Sequence, residues 1–262
     1  MDLGLKGKAA LVTAGSSGLG YACALELARE GARVALCSRT LERAQQAAER
    51  VAAQTGAEVH GFAADVARPD DLERLFGGVG EMFGRLDILI CNAGGPPAGK
   101  FEALDEAEWE TAFALTLMSV VRSVRLALPL MAAAGGGRIL AITSSSVKRP
   151  LDNLTLSNTF RPAVQGLCKS LSIELAPHNV QVNSLAPGRI ETERINQLDD
   201  LAAQRTGLSR AEVRAASERE IPLGRVGQPE EFGRVAAFVC SPAALYLNGS
   251  SLLVDGGAVT SL

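Results

Sequence analysis

The amino-acid sequence predicts an α/β protein built on a parallel sheet. Short apolar runs alternate with longer amphipathic segments, which is the pattern of βαβ units. Several runs, such as Ala9-Ala10-Leu11-Val12 and Ile88-Leu89-Ile90-Cys91, are apolar at every position, as central parallel strands buried on both faces require. Apolar residues make up 47% of the 262-residue chain and no Pro/Gly/Ser-rich linker divides it. One domain, spanning residues 1–262, is therefore predicted.

The elements follow in a regular order. Strands are predicted at residues 8–13, 33–38, 58–63, 86–91, 137–143, 180–185 and 251–254. Helices are predicted at residues 18–30, 41–54, 69 onward, 106–131, 159–175 and 229–240. Pro69-Asp70-Asp71 has the first-turn proline and acids of a helix start. The polar segment 191–220 interrupts this rhythm, and it is predicted to be a lid over a substrate pocket or else a solvated helical excursion.

Composition limits the classes of partner. The net charge of -3 and the scattered basic residues give no electrostatic reason to expect nucleic acid or an anionic membrane. No signal-peptide core precedes the first strand and no uncharged apolar run reaches membrane-spanning length, so a cytoplasmic protein is expected. The cysteines form no Cys-x-x-Cys pair, and we expect buried free thiols and no metal site. They are Cys23, Cys37, Cys91, Cys168 and Cys240.

A glycine-rich loop follows the first predicted strand and opens the first helix. It reads Thr13-Ala14-Gly15-Ser16-Ser17-Gly18-Leu19-Gly20. Glycines let backbone N–H groups approach a pyrophosphate closely, and the helix N-terminus adds a partial positive charge. The spacing Gly-x-x-Gly-x-Gly departs from the commoner Gly-x-Gly-x-x-Gly, so a turn without a ligand stays open. The loop favours a dinucleotide-binding Rossmann fold.

The end of the second strand indicates which dinucleotide is bound. An acid that grips the adenosine ribose usually lies there, about 20 residues beyond the loop, but this chain has Ser38-Arg39-Thr40. The Arg39 guanidinium can form paired hydrogen bonds to a 2′-phosphate, with the two hydroxyls beside it. The alternative is an ordinary arginine at a helix start. The sequence therefore predicts NADP(H) in preference to NAD(H).

Six motifs occur in the order found in the short-chain dehydrogenase/reductase family, which the chain resembles over essentially its whole length. They are the Thr13–Gly20 loop, Asp65-Val66, Asn92-Ala93-Gly94, Val182-Asn183 leading to Pro187-Gly188, Thr192, and Val254-Asp255-Gly256-Gly257. The resemblance implies a Rossmann fold with a seven-stranded parallel sheet in the order 3-2-1-4-5-6-7, flanked by helices. It also implies a homotetramer, with the helices near 106–131 and 159–175 as contact surfaces.

The same resemblance assigns cofactor residues. Asp65 and Val66 would contact the adenine, and Asn92, followed by Ala93 and Gly94, would steady the central sheet beside the cofactor. The nicotinamide ring and its carboxamide would be held by Pro187, Gly188, Ile190 and Thr192. The family's usual Thr-Gly loop start is Thr13-Ala14 here, and we expect a slightly altered turn without loss of binding.

The catalytic positions differ from the family pattern. The family uses an Asn, a Ser and a Tyr-x-x-x-Lys pair, in which the tyrosine donates a proton to the carbonyl oxygen. The resemblance puts Ser157 at the tyrosine position, Arg161 at the lysine position and Thr116 at the asparagine position. Ser144 has the usual separation from Ser157 and is favoured as the catalytic serine, with Ser146 as its rival.

These substitutions leave two interpretations. Serine is a far weaker acid than tyrosine, and arginine stays protonated, so neither replaces its counterpart directly. Arg161 could still stabilise an oxyanion while a proton arrives from solvent or through Ser157. Lys148 and Asp152 are other candidate proton donors. The runs Ser146–Pro150, Ser157–Arg161 and Ala186–Ile190 resemble a divergent 3-oxoacyl-(acyl-carrier-protein) reductase-like branch. The chain is thus predicted to be an NADP(H)-dependent oxidoreductase acting on a carbonyl small molecule, or a catalytically inactive NADP(H)-binding sensor or assembly subunit.

Overall fold

A seven-stranded sheet runs through the protein in a computed structural model that describes residues 2–261. Every pair of neighbouring strands is parallel, and the strand order is β3-β2-β1-β4-β5-β6-β7, as predicted. The strands are β1 Ala9–Val12, β2 Arg33–Ser38, β3 Val59–Ala63, β4 Ile88–Cys91, β5 Gly137–Ile142, β6 Val180–Pro187 and β7 Ser251–Val254. The order reverses between β1 and β4, so a ligand crevice is expected at the carboxyl ends of these two strands.

Helices cover both faces of the sheet. They are α1 Gly18–Arg29, α2 Leu41–Thr55, α3 Pro69–Phe83, α4 Glu106–Ala112, α5 Ser119–Ala133, α6 Thr155–Glu174, α7 Glu193–Thr206, α8 Arg210–Arg219 and α9 Pro229–Val239. Alternate residues of β1 enter opposite cores. Val12 packs with residues of α1, α2 and α9, whereas Leu11 packs with residues of α3, α5 and α6. Both are fully buried, which explains why the strand is apolar at every position.

The predicted helix 106–131 is not one regular helix. A π-helical turn, Phe113–Met118, separates α4 from α5. Such turns add a residue to the backbone spiral and often occur at functional sites. Thr116, one of the predicted site residues, lies within this turn and is buried.

The helix predicted at 159–175 begins earlier, at Thr155. Side-chain contacts before the predicted start explain the difference, since Asn158 holds the preceding loop through its amide. Its Nδ2 donates to the Leu151 carbonyl (2.8 Å), and its Oδ1 accepts from the Leu151 N–H (3.0 Å). Ser157 and Arg161 consequently both lie on α6, four residues apart and on the same helix face.

The polar segment 191–220 forms the helix pair α7 and α8, so the helical propensity read from the sequence is confirmed. Gly207 ends α7 in the left-handed conformation, and Ser209 caps α8 by accepting from the Glu212 N–H. The pair is added between β6 and α9 and leaves the sheet order unchanged.

By length and composition, the run Glu106–Ala133 could cross a membrane. The sequence analysis required an uncharged apolar run of membrane-spanning length, and this run did not qualify because it carries Arg122 and Arg125. Its inner face contributes Val120 and Val124 to the core, and Arg122 Nη1 donates to the Ala67 carbonyl (2.9 Å). The run therefore serves as one of the helices that cover the sheet.

All five cysteines are buried and free. Burial raises the pKa of each thiol, to about 12 for Cys37, Cys168 and Cys240. They act as small apolar side chains of the core. Within residues 2–261 no cluster of three or more His, Cys, Asp or Glu side chains could hold a metal ion.

Candidate cofactor and active site

The glycine-rich loop after β1 is clamped between the ends of β2 and β4. Thr13 Oγ1 donates to the Asn92 carbonyl (2.7 Å) and accepts from the Asn92 N–H (2.8 Å). Asn92 Nδ2 donates to the Ala14 carbonyl (3.1 Å), and the Gly15 N–H donates to the Cys37 carbonyl (2.9 Å). Asn92 thus fixes the loop itself, and it does so across the point where the strand order reverses.

Only glycine fits at two positions of this loop. A Cβ on Gly20 would lie 2.5 Å from the Ala14 carbonyl oxygen and 2.6 Å from Asn92 Nδ2. A Cβ on Gly15 would lie 2.9 Å from Leu36 Cβ. Leu19 and Gly20 enter α1, whose first residue is Gly18 and whose first turn holds no acid. The positive end of the helix is therefore available to an anion such as a diphosphate.

Ala14 stands where the family usually has glycine, and it lies in the turn between β1 and α1. Ala14 has φ 46°, in the left-handed region where a side chain is disfavoured. Its N–H still points into the protein and contacts Cys37 Sγ (3.4 Å). The hydrogen bond from Asn92 Nδ2 to its carbonyl holds it there.

Polar side chains gather where β2 ends. Ser16 Oγ donates to Ser38 Oγ (3.1 Å), and Thr40 begins α2 as its N-cap without a side-chain bond. Arg39 is exposed and forms no ion pair with any acid in the described residues. Arg50, which sequence analysis missed, reaches from α2 to donate to the Ser16 carbonyl (3.3 Å). Two guanidinium groups thus flank the outer end of the loop.

The Asp65-Val66 turn after β3 is rigid. Asp65 Oδ1 accepts from the Ala67 N–H (3.0 Å), and the Asp65 N–H donates to Asp71 Oδ2 (2.9 Å). That second bond is the main reason why the pKa of Asp71 is lowered, and Arg74 and Arg68 add to it. Val66 is buried and offers an apolar edge at the sheet's carboxyl end.

The segment that follows the carboxyl end of β6 lies next to the glycine-rich loop. A Cβ on Gly188 would lie 2.6 Å from Asp255 Cβ, and the Gly188 N–H donates to the Val254 carbonyl (2.9 Å). Pro187 ends β6 and Ile190 is buried beyond it. Thr192 caps α7 by accepting from the Ile195 N–H (3.4 Å), and its Cγ2 lies 3.5 Å from an ideal Cβ on Gly18. The two sets of predicted cofactor residues therefore form one site.

The elements that carry the predicted catalytic residues pack together, because α6 lies against the π-helical turn and the short helical turn Ser145–Val147. Ser157 and Arg161 are each only 8% exposed. The hydroxyls of Thr116 and Ser146 are buried and have no hydrogen-bond partner in the described residues. Ser144 Oγ is more accessible and accepts from the Ser146 N–H (3.1 Å). Buried hydroxyls without partners are unusual, and an ordered water, an ion or a catalytic role accounts for such groups.

Arg161 is the most unusual group of the site. Its Nη1 donates to the Ile142 carbonyl at the end of β5 (2.7 Å). Burial, with a smaller contribution from the positive charge of Arg194, lowers its pKa to about 10. The guanidinium is still protonated at neutral pH, and it can stabilise negative charge on a bound oxygen.

The segment 191–220 contacts the neighbouring loops at both ends of α7. Arg194, at the start of α7, donates to the Pro96 carbonyl after β4 (2.7 Å), while Arg205, at its end, pairs with Asp152 before α6 (2.9 Å). The segment thus bridges the loops that follow β4 and β5. The Arg194 contact joins positions 98 residues apart, so no local sequence pattern predicts it.

An ion-pair network braces the same segment internally. Asp199, only 1% exposed, accepts from Arg189 and from Arg214 Nε (2.8 Å). Arg214 also pairs with Glu191, and these hydrogen bonds raise the pKa of Arg214 and lower that of Glu191.

The two tyrosines lie elsewhere. Tyr21 accepts from Gln54 Nε2 (3.0 Å) beside the Arg50 guanidinium, and Tyr246 is fully exposed before β7. Lys148 and Asp152, the other donors considered, are both exposed. Among the described residues, no tyrosine or lysine side chain forms a hydrogen bond with Ser157 or Arg161, whose guanidinium bonds the Ile142 carbonyl.

Comparison with known proteins gives a consistent result. The family model described as enoyl-(acyl carrier protein) reductase matches residues 13–259. The chain is 34% identical over 260 residues to dehydrogenase/reductase SDR family member 4 of Bos taurus, covering 98% of this chain and 89% of that protein. The chain belongs to the short-chain dehydrogenase/reductase family. Its members are oxidoreductases, and the implied Rossmann fold is thereby confirmed.

Other relatives extend the comparison. The 3-oxoacyl-[acyl-carrier-protein] reductase of Aquifex aeolicus is 33% identical, covering 98% of this chain and 99% of that protein. Among solved structures, L-sorbose reductase from Gluconobacter frateurii, complexed with NADPH and L-sorbose, superposes with a TM-score of 0.95 at 32% identity over the whole of both chains. A 7α-hydroxysteroid dehydrogenase complexed with NADH superposes with a TM-score of 0.90 at 29% identity, covering 100% of this chain and 98% of the other.

Proposed function

We propose that this protein is an NADP(H)-dependent reductase of a carbonyl substrate, in which Arg161 and Ser157 replace the usual tyrosine–lysine pair. The observation that carries the proposal is the buried, charged guanidinium of Arg161 on α6, the helix that packs against the two turns bearing the unpartnered hydroxyls of Thr116 and Ser146. Such a group provides fixed positive charge in a site shielded from water, where electrostatic stabilisation is strongest.

The residues fit a dinucleotide. Backbone N–H groups of the clamped Thr13–Gly20 loop would hold the diphosphate, and Asp65 with Val66 would border the adenine. Pro187, Gly188, Ile190 and Thr192 would border the nicotinamide, opposite Asn92, Ala93 and Gly94. The similar solved structures include complexes with NADPH and with NADH, so they do not distinguish the two cofactors. The preference for NADP(H) therefore rests on Arg39, with Ser38 and Thr40 beside it in the sequence. Arg50 would add a second guanidinium near the 2′-phosphate.

When bound, the reduced cofactor supplies the hydride. Arg161 stabilises the negative charge that develops on the substrate oxygen as the carbonyl carbon is reduced. The proton that completes the alcohol comes from solvent through the Ser157 hydroxyl, which is replenished by a second proton from water. Ser144 positions the substrate oxygen, and Ser146 is the alternative for that role. Segment 191–220 acts as a lid that excludes water.

A second candidate function is a sensor or assembly subunit that binds the cofactor without turnover. It is favoured by the serine at position 157, since a serine hydroxyl is a far weaker acid than a phenol. Restoring the family's tyrosine and lysine distinguishes the reductase from the sensor or assembly subunit. The double variant Ser157→Tyr with Arg161→Lys should gain ketone reduction if only a proton donor is missing.

The experiment that tests the proposal is a screen of NADPH oxidation against ketones, aldehydes and enones, with cofactor affinity measured in parallel. Turnover of a carbonyl compound is the expected result. Tight cofactor binding with no turnover of any compound would favour the sensor.

We also propose a homotetramer in the cytoplasm. The apolar window of Glu106–Ala133 is only 33% buried within one chain, and Phe113 on it and Ile173 on α6 are 44% and 69% exposed. Contact between copies through these helices would cover both. Light scattering after size exclusion tests the stoichiometry, and a monomer at micromolar concentration would contradict it.

A further inference from the structure

Two arginines at the substrate end of the site have no acidic partner. Arg161 is buried on α6, and Arg194 is partly buried in the first turn of α7. Neither guanidinium has a carboxylate oxygen within 4.0 Å in the described residues. The carbonyls that hold them, Ile142 at the end of β5 and Pro96 after β4, follow neighbouring strands. The positive charge of Arg194 contributes to the lowered pKa of Arg161. Two like charges are thus brought together out of water, an arrangement that is unfavourable unless an anion joins them.

The acids around this pair already have other partners. Asp199 accepts from Arg189 and Arg214, and Glu191 pairs with Arg214. Asp152 pairs with Arg205. These bonds engage Asp199, Glu191 and Asp152 elsewhere, and no carboxylate of the segment lies within 4.0 Å of Arg161 or Arg194 in the described residues.

Backbone contacts fix both guanidinium groups. Arg161 uses Nη1 on the Ile142 carbonyl, and Arg194 uses Nη2 on the Pro96 carbonyl. Gly95 allows the second contact, since a Cβ there would lie 2.8 Å from Arg194 Nε. A guanidinium has five N–H donors in a rigid fork that matches a carboxylate. Each arginine therefore keeps N–H groups for a ligand.

The cofactor's phosphates are poorly placed to reach Arg161. Arg161 bonds the end of β5, whereas the glycine-rich loop follows β1. In the sheet, β4 lies between these two strands. The other candidate phosphate position, beside Arg39, lies farther away still, at the end of β2. Arg194 is nearer to the loop, since Thr192 lies close to Gly18, but an anion that contacts both arginines has to come from the substrate side.

We propose that the substrate is an oxo acid, a carbonyl compound with a carboxylate next to or one carbon from the carbonyl group, whose carboxylate is bound by Arg194 and Arg161 together. This inference rests on the proposed function and names its substrate class. Arg161 contacts both the carbonyl oxygen and the carboxylate, so the two groups must be close. A neutral ketone or thioester would leave the two buried charges unpaired, which explains the preference for an acid.

A pair of unreactive probes tests the site without catalysis. Oxamate is an anionic analogue of a 2-oxo acid, and oxamide is its neutral counterpart of the same shape. Calorimetric titration of the protein–NADP⁺ complex should show that oxamate binds at least about tenfold more tightly, as one charge-assisted contact provides. Arg194→Gln should remove this difference, Arg194→Lys should keep part of it, and cofactor affinity should be unchanged in both.

Arg205→Gln is the matched control, because it removes an arginine of the same helix that already has an acidic partner. It should keep the preference for oxamate. Equal binding of oxamate and oxamide, no binding of either, or a preference that survives in Arg194→Gln would each overturn the proposal.

Turnover separates this proposal from the proposed function. The two substrates to compare are 2-oxobutanoate and 3-oxobutanoate, each against its methyl ester, with NADPH. The acids should have the higher kcat/KM. Esters reduced as well as acids would overturn the anion site while the reductase stands. Charge-dependent binding of oxamate with no reduction of any carbonyl would support the anion site and exclude the reductase.

Discussion

The two sides of the site are stabilised in different ways. On the loop side, residues 13–20, backbone groups are held by other backbone groups, as between Gly15 and Cys37, or by the Asn92 amide. On the α6 side, buried groups lack partners: the hydroxyls of Thr116 and Ser146, and the charge of Arg161. The first side is complete without a ligand, whereas the second needs one. We therefore expect the loop side to provide the affinity for the cofactor and the α6 side to provide the groups that act on the substrate.

The largest effect should come from Arg161→Gln. The loss of fixed positive charge at the substrate oxygen should lower kcat by about 10²–10³, the effect of removing one oxyanion donor. Cofactor affinity and the thermal midpoint should stay the same or rise, since an unpaired buried charge is removed. Steady-state kinetics and cofactor fluorescence titration are the measurements. Undiminished kcat would show that the α6 side does not depend on this group.

Gly20→Ala should damage the loop side instead. The new Cβ would meet the Ala14 carbonyl and Asn92 Nδ2, and overpacking of this kind destabilises a protein by about 1–3 kcal/mol. We expect weaker binding of both NADPH and NADH and a lower free energy of unfolding, measured by titration and urea denaturation.

Gly77→Ala is the matched control for that change. Nothing lies within 4 Å of a Cβ on Gly77, which sits in α3, so this variant should be as stable as the parent or more stable by about 1 kcal/mol. Unaltered cofactor affinity in Gly20→Ala would mean that the clamped loop does not bind the dinucleotide.

Arg39→Ala should have a smaller and more selective effect. Loss of a charge-assisted bond of about 1.5–3 kcal/mol should weaken NADPH by about 10- to 100-fold while NADH is unaffected. Arg43→Ala, which removes another exposed arginine of the same region, should change neither. Equal losses for the two cofactors would contradict a role at the 2′-phosphate.

The same contrast explains what could be predicted from the sequence. The strand order was implied by the family resemblance, and it is confirmed. The positions of the strands and of the glycine-rich loop were predicted from local patterns: apolar runs, and glycines between a strand and a helix. Two features were not predicted, because long-range packing creates them: the π-helical turn around Thr116 and the contact of Arg194 with Pro96. A polar segment such as 191–220 shows its helical propensity, but nothing in its sequence says which loops it will bridge.

The smallest effect should come from Ala14→Gly, which tests whether the loop side carries strain. Ala14 has φ 46°, and the left-handed conformation costs an L-residue about 1–2 kcal/mol. Glycine relieves that cost, but it loses about 0.5–1 kcal/mol through the greater freedom of the unfolded chain. The net gain in the free energy of unfolding should therefore be about 0–1.5 kcal/mol, seen as a small rise in urea midpoint at constant m-value. Because Asn92 holds the Ala14 carbonyl in either case, cofactor affinity should not change. Tighter NADPH binding in the glycine variant would show that the alanine distorts the loop and that the loop side, like the α6 side, is incomplete on its own.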